Sequence, residues 1–305
     1  MTNQLLMDQA TAEMPKNAET FPAFVRRESF IELNARARAQ KLMDVGSWHE
    51  LVDPFERIES PWLPKQGIAP QSDDGCVVLK GKITGKPAIV IALDGGFQAG
   101  SMGEVSGAKM TAALDLAARD SQSGKKTGAV LLLETGGVRL QEANLGLAAI
   151  AEVISSLLFL REHAPIITVI AGTVGCFGGM SLVAGMSSYV VMTREARLGL
   201  NGAEVIEQES GIDEFDSSDR SLIWAIDGGE QRVAMGVADE LVIDDVKQIS
   251  TAVRGLMEAG LPQVHRSQQV DLYRERIAAL DTSKQINPFN LREQWRNAGE
   301  TRGGK

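Results

Sequence analysis

Two short strings hold the residues best suited to chemistry: Leu133-Glu134-Thr135-Gly136-Gly137-Val138-Arg139 and Gly175-Cys176-Phe177-Gly178-Gly179-Met180. Each follows an apolar run and precedes a helical pattern. Glycine at a strand-to-helix junction leaves the first N–H groups of the helix unpaired and lets a substrate oxygen approach without meeting a Cβ. Such donors, together with the positive helix end, stabilise an oxyanion, and removing one typically costs about 3 to 4 kcal/mol of transition-state stabilisation. A Gly-Gly pair would equally serve plain helix–strand packing. Two such junctions in succession favour the oxyanion reading.

A third glycine loop, running from Gly95 through Gly100, Ser101, Met102 and Gly103 to Glu104, leads into a helical pattern and is placed to line the same pocket. Its other reading is a simple helix-leading loop with Ser101 near the N-cap. Arg139 is suited to a carboxylate or phosphate, although a lone arginine also serves packing. Cys176 lies among glycines and apolar residues with no histidine nearby, which suits an inert buried thiol better than a nucleophile. Asn201 and Gly202 follow a strand pattern and would reach the site, ahead of an acidic run over 204–219 expected to form a solvated loop. His49, His163 and His265 have no metal-ligand spacing, and no phosphate-loop or dinucleotide glycine string occurs. No metal or nucleotide site is therefore expected.

These junctions need buried strands behind them. Residues 76–83 and 88–93 read as a hairpin across a Gly85-Lys86-Pro87 turn, and 129–133 and 166–170 as buried strands. Residues 189–192, 197–200 and 240–243 read as further short strands. Helices are expected over 24–43 as a surface arm, after Gly103 with Val105, Ala108, Ala112 and Leu116 on one face, up to about 162, over 228–235, and in patches at 246–257 and 270–280. Prolines 54, 61, 64 and 70 make 54–70 an extended connector. Residues 1–20 and 297–305 are polar without periodicity and are expected to be loose. The organisation expected is an arm and connector over 1–70, a core over 71–260 and a helical tail over 261–305. Strands alternating with helices imply an α/β fold with largely parallel pairing.

With 305 residues, 44% of them hydrophobic, the chain can bury a sizeable core. The formal charge of -9 lacks the basic face that nucleic acid demands. Two cysteines supply neither a disulfide framework nor a four-thiolate zinc ribbon, which suits a reducing cytoplasm. No apolar run is long enough to span a membrane and none resembles a secretory leader.

At these residues the chain resembles the carboxyltransferase group of the crotonase superfamily, and within it the malonate decarboxylase beta subunits. The resemblance covers about residues 75–245 and is carried, in the family's order, by GSMGEVSGAKM, TGGVRLQEA, APIITVIAGTVGCFGGMS, LGLNGAEVIEQ and GVADELVID. It implies a crotonase/ClpP-like spiral of repeated β-β-α units. It also implies one oxyanion hole at the amides of Gly136, Gly137 and Val138 and another at Gly178 and Gly179. Gly100 to Gly103, Thr135, Arg139, Gly175, Cys176, Asn201 and Gly202 would contact substrate. The acetyl-CoA carboxylase beta subunit differs in its zinc ribbon and in an FAGPR stretch that reads LNGAE here.

The implied reaction is decarboxylation of a malonyl thioester to an acetyl thioester through an enolate held by the first hole. The malonyl group would ride on the CoA-like prosthetic group of an acyl carrier protein, with no cofactor or metal bound by this chain. A gamma subunit of related fold would complete the site. No Met-Lys-Met biotin-attachment string is present, so any biotin would sit on another subunit. Two alternatives stay open: a biotin-dependent carboxyltransferase beta subunit using the same holes, and a non-catalytic scaffold that docks the partner or carrier.

Overall fold

The computed structural model describes residues 27–283 and 286–300. Seven strands form one sheet in chain order: β1 (His49–Leu51), β2 (Cys76–Ile83), β3 (Lys86–Leu93), β4 (Gly128–Leu132), β5 (Ile166–Ile170), β6 (Tyr189–Thr193) and β7 (Glu240–Val242). β1 to β3 pair antiparallel and β3 to β7 parallel. The β2–β3 turn falls one residue earlier than expected, at Thr84-Gly85. Both residues have positive φ (52° and 74°), the two-residue hairpin geometry that matches strand twist.

Because β4 and β5 are covered on both faces, every residue in them is buried, the pattern expected of parallel strands sandwiched by helices. One face packs on α2 (Glu104–Gln122), α3 (Asn144–Leu160) and α4 (Gly179–Met186) through Ile89, Ile91, Leu131 and Ile166. The other packs on α1 (Ala35–Leu42) and α8 (Val246–Ala259) through Val90, Val130, Ile167 and Val191. Each Leu, Ile or Val so removed from water contributes about 1.5–3 kcal/mol.

After each of β3 to β6 the chain makes a short second-layer segment before its helix. Met102 pairs in parallel with Val138, Thr135 with Cys176, and Cys176 with Leu198. Strand, second-layer segment and helix thus repeat as a spiral of β-β-α units, the architecture the resemblance implies.

Several local expectations need correcting. The expected 24–43 helix is only α1, capped by the Asn34 side chain, and residues 24–26 lie outside the described residues. Instead of lying on the surface, its Ala35, Ala39 and Leu42 join the core. On α2 the buried face is Gly107, Met110, Leu114 and Ala118, while Ala108 and Ala112 are exposed. An alanine-rich helix carries an ambiguous stripe, and the approach of α3 decides it. Residues 197–200 form bridges, not a strand. The acidic run begins as α5 (Ala203–Ser210), and α6 (Arg220–Asp227) precedes α7 (Gly229–Ala234). The tail contains α9 (Val270–Ala278) and α10 (Pro288–Glu300). The expected loose end is therefore helical through residue 300, while 301–305 and 1–20 lie outside the described residues. No helix among the described residues is long and apolar enough to cross a membrane.

Candidate active site

The two glycine junctions meet. Gly137 (φ 107°) and Gly178 (φ 60°) occupy backbone conformations that side chains disfavour. A Cβ on Gly137 would lie 3.2 Å from Gly178 Cα, and one on Gly178 would lie 3.1 Å from Gly137 Cα. These residues are glycine because the two turns press backbone on backbone, so packing and chemistry here share one cause.

The first junction differs from its expected form. Five residues, including a 3-10 turn over Leu140–Glu142, separate Val138 from the start of α3. Its donors are therefore second-layer amides rather than the first turn of a helix. Two of them are already engaged: Gly136 N–H donates to Ala99 C=O at 2.9 Å and Gly137 N–H to Thr135 Oγ1 at 3.1 Å. Val138 is different. Its parallel bridge uses its neighbours, with Met102 N–H donating to Gly137 C=O (2.7 Å) and Arg139 N–H to Met102 C=O (2.9 Å). Val138 N–H therefore faces away from Met102, as parallel pairing dictates, and it finds no acceptor among the described residues. It lies toward the second turn, 3.8 Å from where a Gly178 Cβ would stand.

The second junction does open directly into α4. Gly178 N–H donates to Leu200 C=O at 2.8 Å, whereas Gly179, the first residue of the helix, has no acceptor for its N–H among the described residues. The usable donors thus narrow to Val138 and Gly179, one from each of two adjoining turns, beside a positive helix end.

The remaining sites sort by position. Gly100, Ser101, Met102 and Gly103 run alongside Val138, and the loop is set by Gln98 and Ala99, whose φ of 48° and 53° aim the Ala99 carbonyl at Gly136. Thr135 N–H donates to Gly175 C=O at 2.8 Å, joining the first turn to the second. Asn201 and Gly202 follow Leu200 at the start of α5, with Asn201 exposed. Cys176 is fully buried and burial pushes its thiol far up, which removes it as a nucleophile.

Arg139 is a correction. It is 1% exposed, and its guanidinium is bound by Asp74 and Glu142, so it is not available to a substrate anion. Burial raises the Asp74 carboxyl, with Arg139 opposing. Burial also acts to raise Glu142, but the Ser60 hydroxyl, the Glu104 N–H and Arg139 outweigh it and hold that carboxyl below its ordinary value.

Sequence reasoning passed over Asp74, Glu142, Arg38 and Glu134. The Asp73-Asp74-Gly75 turn and a glutamate ending a run of leucines were the available signals. Arg38 of α1 ion-pairs with Glu134 beside a cavity of about 310 Å³ lined by Asn34, Asp94, Gly95 and Val174. No group of three His, Cys, Asp or Glu side chains arranged for a metal occurs among the described residues.

Comparison with known proteins shows the family to which the chain belongs. The carboxyl transferase domain matches residues 32–293. The chain is 38% identical to a malonyl-S-ACP:biotin-protein carboxyltransferase of Malonomonas rubra, over 89% of this chain and 90% of that protein. It is similar to a chain in the Pseudomonas malonate decarboxylase hetero-tetramer solved with malonate, at 54% identity and TM-score 0.87, covering 89% of this chain and 98% of that one. A chain of the Pseudomonas malonate decarboxylase hetero-dimer is 48% identical, with TM-score 0.71 and coverage of 85% and 100%.

Proposed function

We propose, from the premise that the chain belongs to the carboxyl transferase domain family, that it is the beta-type subunit of a malonate decarboxylase acting on a malonyl thioester. The single observation that carries the mechanism is the pair of unengaged amides, Val138 and Gly179, on turns packed against each other. The thioester carbonyl oxygen accepts from both N–H groups. As the bond between the carboxylate and the α-carbon breaks, its electron pair moves into the new enolate and charge gathers on that oxygen. CO2 leaves and one proton is added at the α-carbon, giving the acetyl thioester. The donors bind the enolate more tightly than the ground-state carbonyl, which is what lowers the barrier.

Around this site lie the Gly100–Gly103 loop, Thr135, Gly175, Cys176, Asn201 and Gly202; Met102, Thr135 and Cys176 are fully buried and back it, while Asn201 is exposed. Leu140, Leu147, Leu182 and Leu200 are exposed at the leading ends of α3, α4 and α5, around the two turns. Such an apolar rim suits a partner subunit, assigned here to a gamma subunit of related fold. The malonyl group is carried on the prosthetic group of an acyl carrier protein, without a metal or cofactor held by this chain. Two buried free thiols suit a reducing cytoplasm.

One observation favours a second reading: the Malonomonas relative is named for transfer to a biotin protein. The test is CO2 release from a malonyl thioester by the complex with its partner in excess avidin. Release that continues supports the direct decarboxylase, and release that stops supports biotin-dependent transfer. Gly137→Val, which intrudes on Gly178, should lower kcat by about 10²–10³-fold, the loss expected for one oxyanion donor. Unchanged turnover in the folded, assembled variant would favour the scaffold reading.

A further inference from the structure

We propose that Asp74 and Glu142, acting through Arg139, are positioning residues that hold the Val138 N–H in line for the oxyanion; this rests on the decarboxylase reading above. Arg139 directly follows Val138. Its Nη1 donates to Asp74 Oδ1 at 2.7 Å and Glu142 Oε1 at 2.9 Å, its Nη2 to Ser101 C=O at 3.1 Å, and Phe97 lies beneath it at 5.3 Å. The carboxylates are held in turn. Ser106 N–H donates to Asp74 Oδ2 at 2.8 Å, the Ser60 hydroxyl to Glu142 Oε1 at 2.6 Å, and Glu104 N–H to Glu142 Oε2 at 2.7 Å.

Segments distant in sequence thus hold one guanidinium: Asp74, Glu142 and the Ser101 carbonyl bind it directly, and Ser60 of the connector with the start of α2 holds its two carboxylates. Gly103 leaves the room, since a Cβ there would stand 2.5 Å from Arg139 Nη1. A buried ion pair rarely adds net stability over apolar packing, because desolvation offsets the Coulomb gain. Its use here is geometric. The Met102 bridge holds the backbone on either side of Val138, and the guanidinium fixes the residue that follows. A donor aids a transition state only if it is already aligned, and a displacement of about 1 Å can cost about 10²-fold in rate.

Glu142→Gln keeps the shape but removes the charge facing Arg139, and its single oxygen can accept from Ser60 and Arg139 or from Glu104 N–H, not from both sides. In the assembled complex it should lower kcat by about 10- to 100-fold while KM for the malonyl thioester stays within about twofold. Affinity for a stable anionic enolate-mimicking thioester should fall by the same factor, affinity for the acetyl thioester should not, and amide exchange over 134–142 should quicken. Arg139→Lys keeps the charge without the fork and should lose rate in the same sense if Glu142→Gln fails to assemble. Wild-type kcat in either folded variant, or equal loss of affinity for both ligands, would overturn the positioning role. A wild-type complex that releases no CO2 from a malonyl thioester would instead overturn the decarboxylase reading and this role with it.

Discussion

Glu134 stands directly ahead of the Thr135-Gly136-Gly137 turn, nearly buried, with its carboxylate against Arg38. Arg38 also donates to the carbonyls of Phe30 and Ile31, so it joins α1 to the strand end that leads into the site. Arg38→Met would leave a buried, unpaired carboxylate, and a loss of about 3–5 kcal/mol is expected in urea denaturation of the folded chain. The thiols give a pH effect with a definite sign. Burial pushes Cys76 from 9.0 up to about 12. Between those values the unfolded thiol ionises while the folded one stays protonated, so the folded state binds more protons and stability falls as pH rises through the window. Denaturation midpoints at pH 8 and pH 11 should show that fall, diminished in Cys76→Ala. Neither cysteine should react with iodoacetamide at pH 8 until the chain is unfolded.

At the scale of elements, the site depends on how closely α2 and α3 approach. A Cβ on Gly107 of α2 would lie 2.4 Å from Ala149 Cβ of α3, so the helices touch almost backbone to backbone. Gly146, one turn earlier on α3, lies against the Met102 carbonyl, which accepts from Arg139 N–H in the Val138 bridge. Gly107→Val should force the helices apart, with a loss of about 1–3 kcal/mol read as a lower thermal midpoint. The strands were legible from sequence because fully buried parallel strands must be continuous apolar runs. The buried face of α2 was not, because alanine at 108, 112, 113, 117 and 118 gives no contrast between faces. The helical start of the acidic run was also hidden, since Glu and Gln are good helix formers yet also mark solvated loops.

For the whole molecule, the apolar rim around the turns sets what the chain does alone. Leu140 is 84% exposed and Leu147, Leu182 and Leu200 are 56%, 47% and 60% exposed, on the segments that follow the two turns or precede α5. Leu147→Glu combined with Leu182→Glu should leave the chain folded by circular dichroism and abolish co-elution with the partner subunit on size exclusion. The isolated wild-type chain should release CO2 from a malonyl thioester far more slowly than the complex, with the rate restored on adding the partner.

What the sequence determined by itself was the set of parallel strands, the two glycine junctions and their order, since buried runs and tight turns are properties of neighbouring residues. The tertiary structure decided which amides are free. Gly136 and Gly137 share the turn, but Ala99 C=O and Thr135 Oγ1 accept their hydrogen bonds, and the register of the Met102 bridge leaves Val138 N–H turned toward Gly178. It also moved Arg139 from the substrate to the frame, because its partners Asp74 and Glu142 lie 65 and 3 residues away and meet it only in the folded chain. Hydrogen-bond satisfaction is a sum over the whole fold, so no local string could have assigned it.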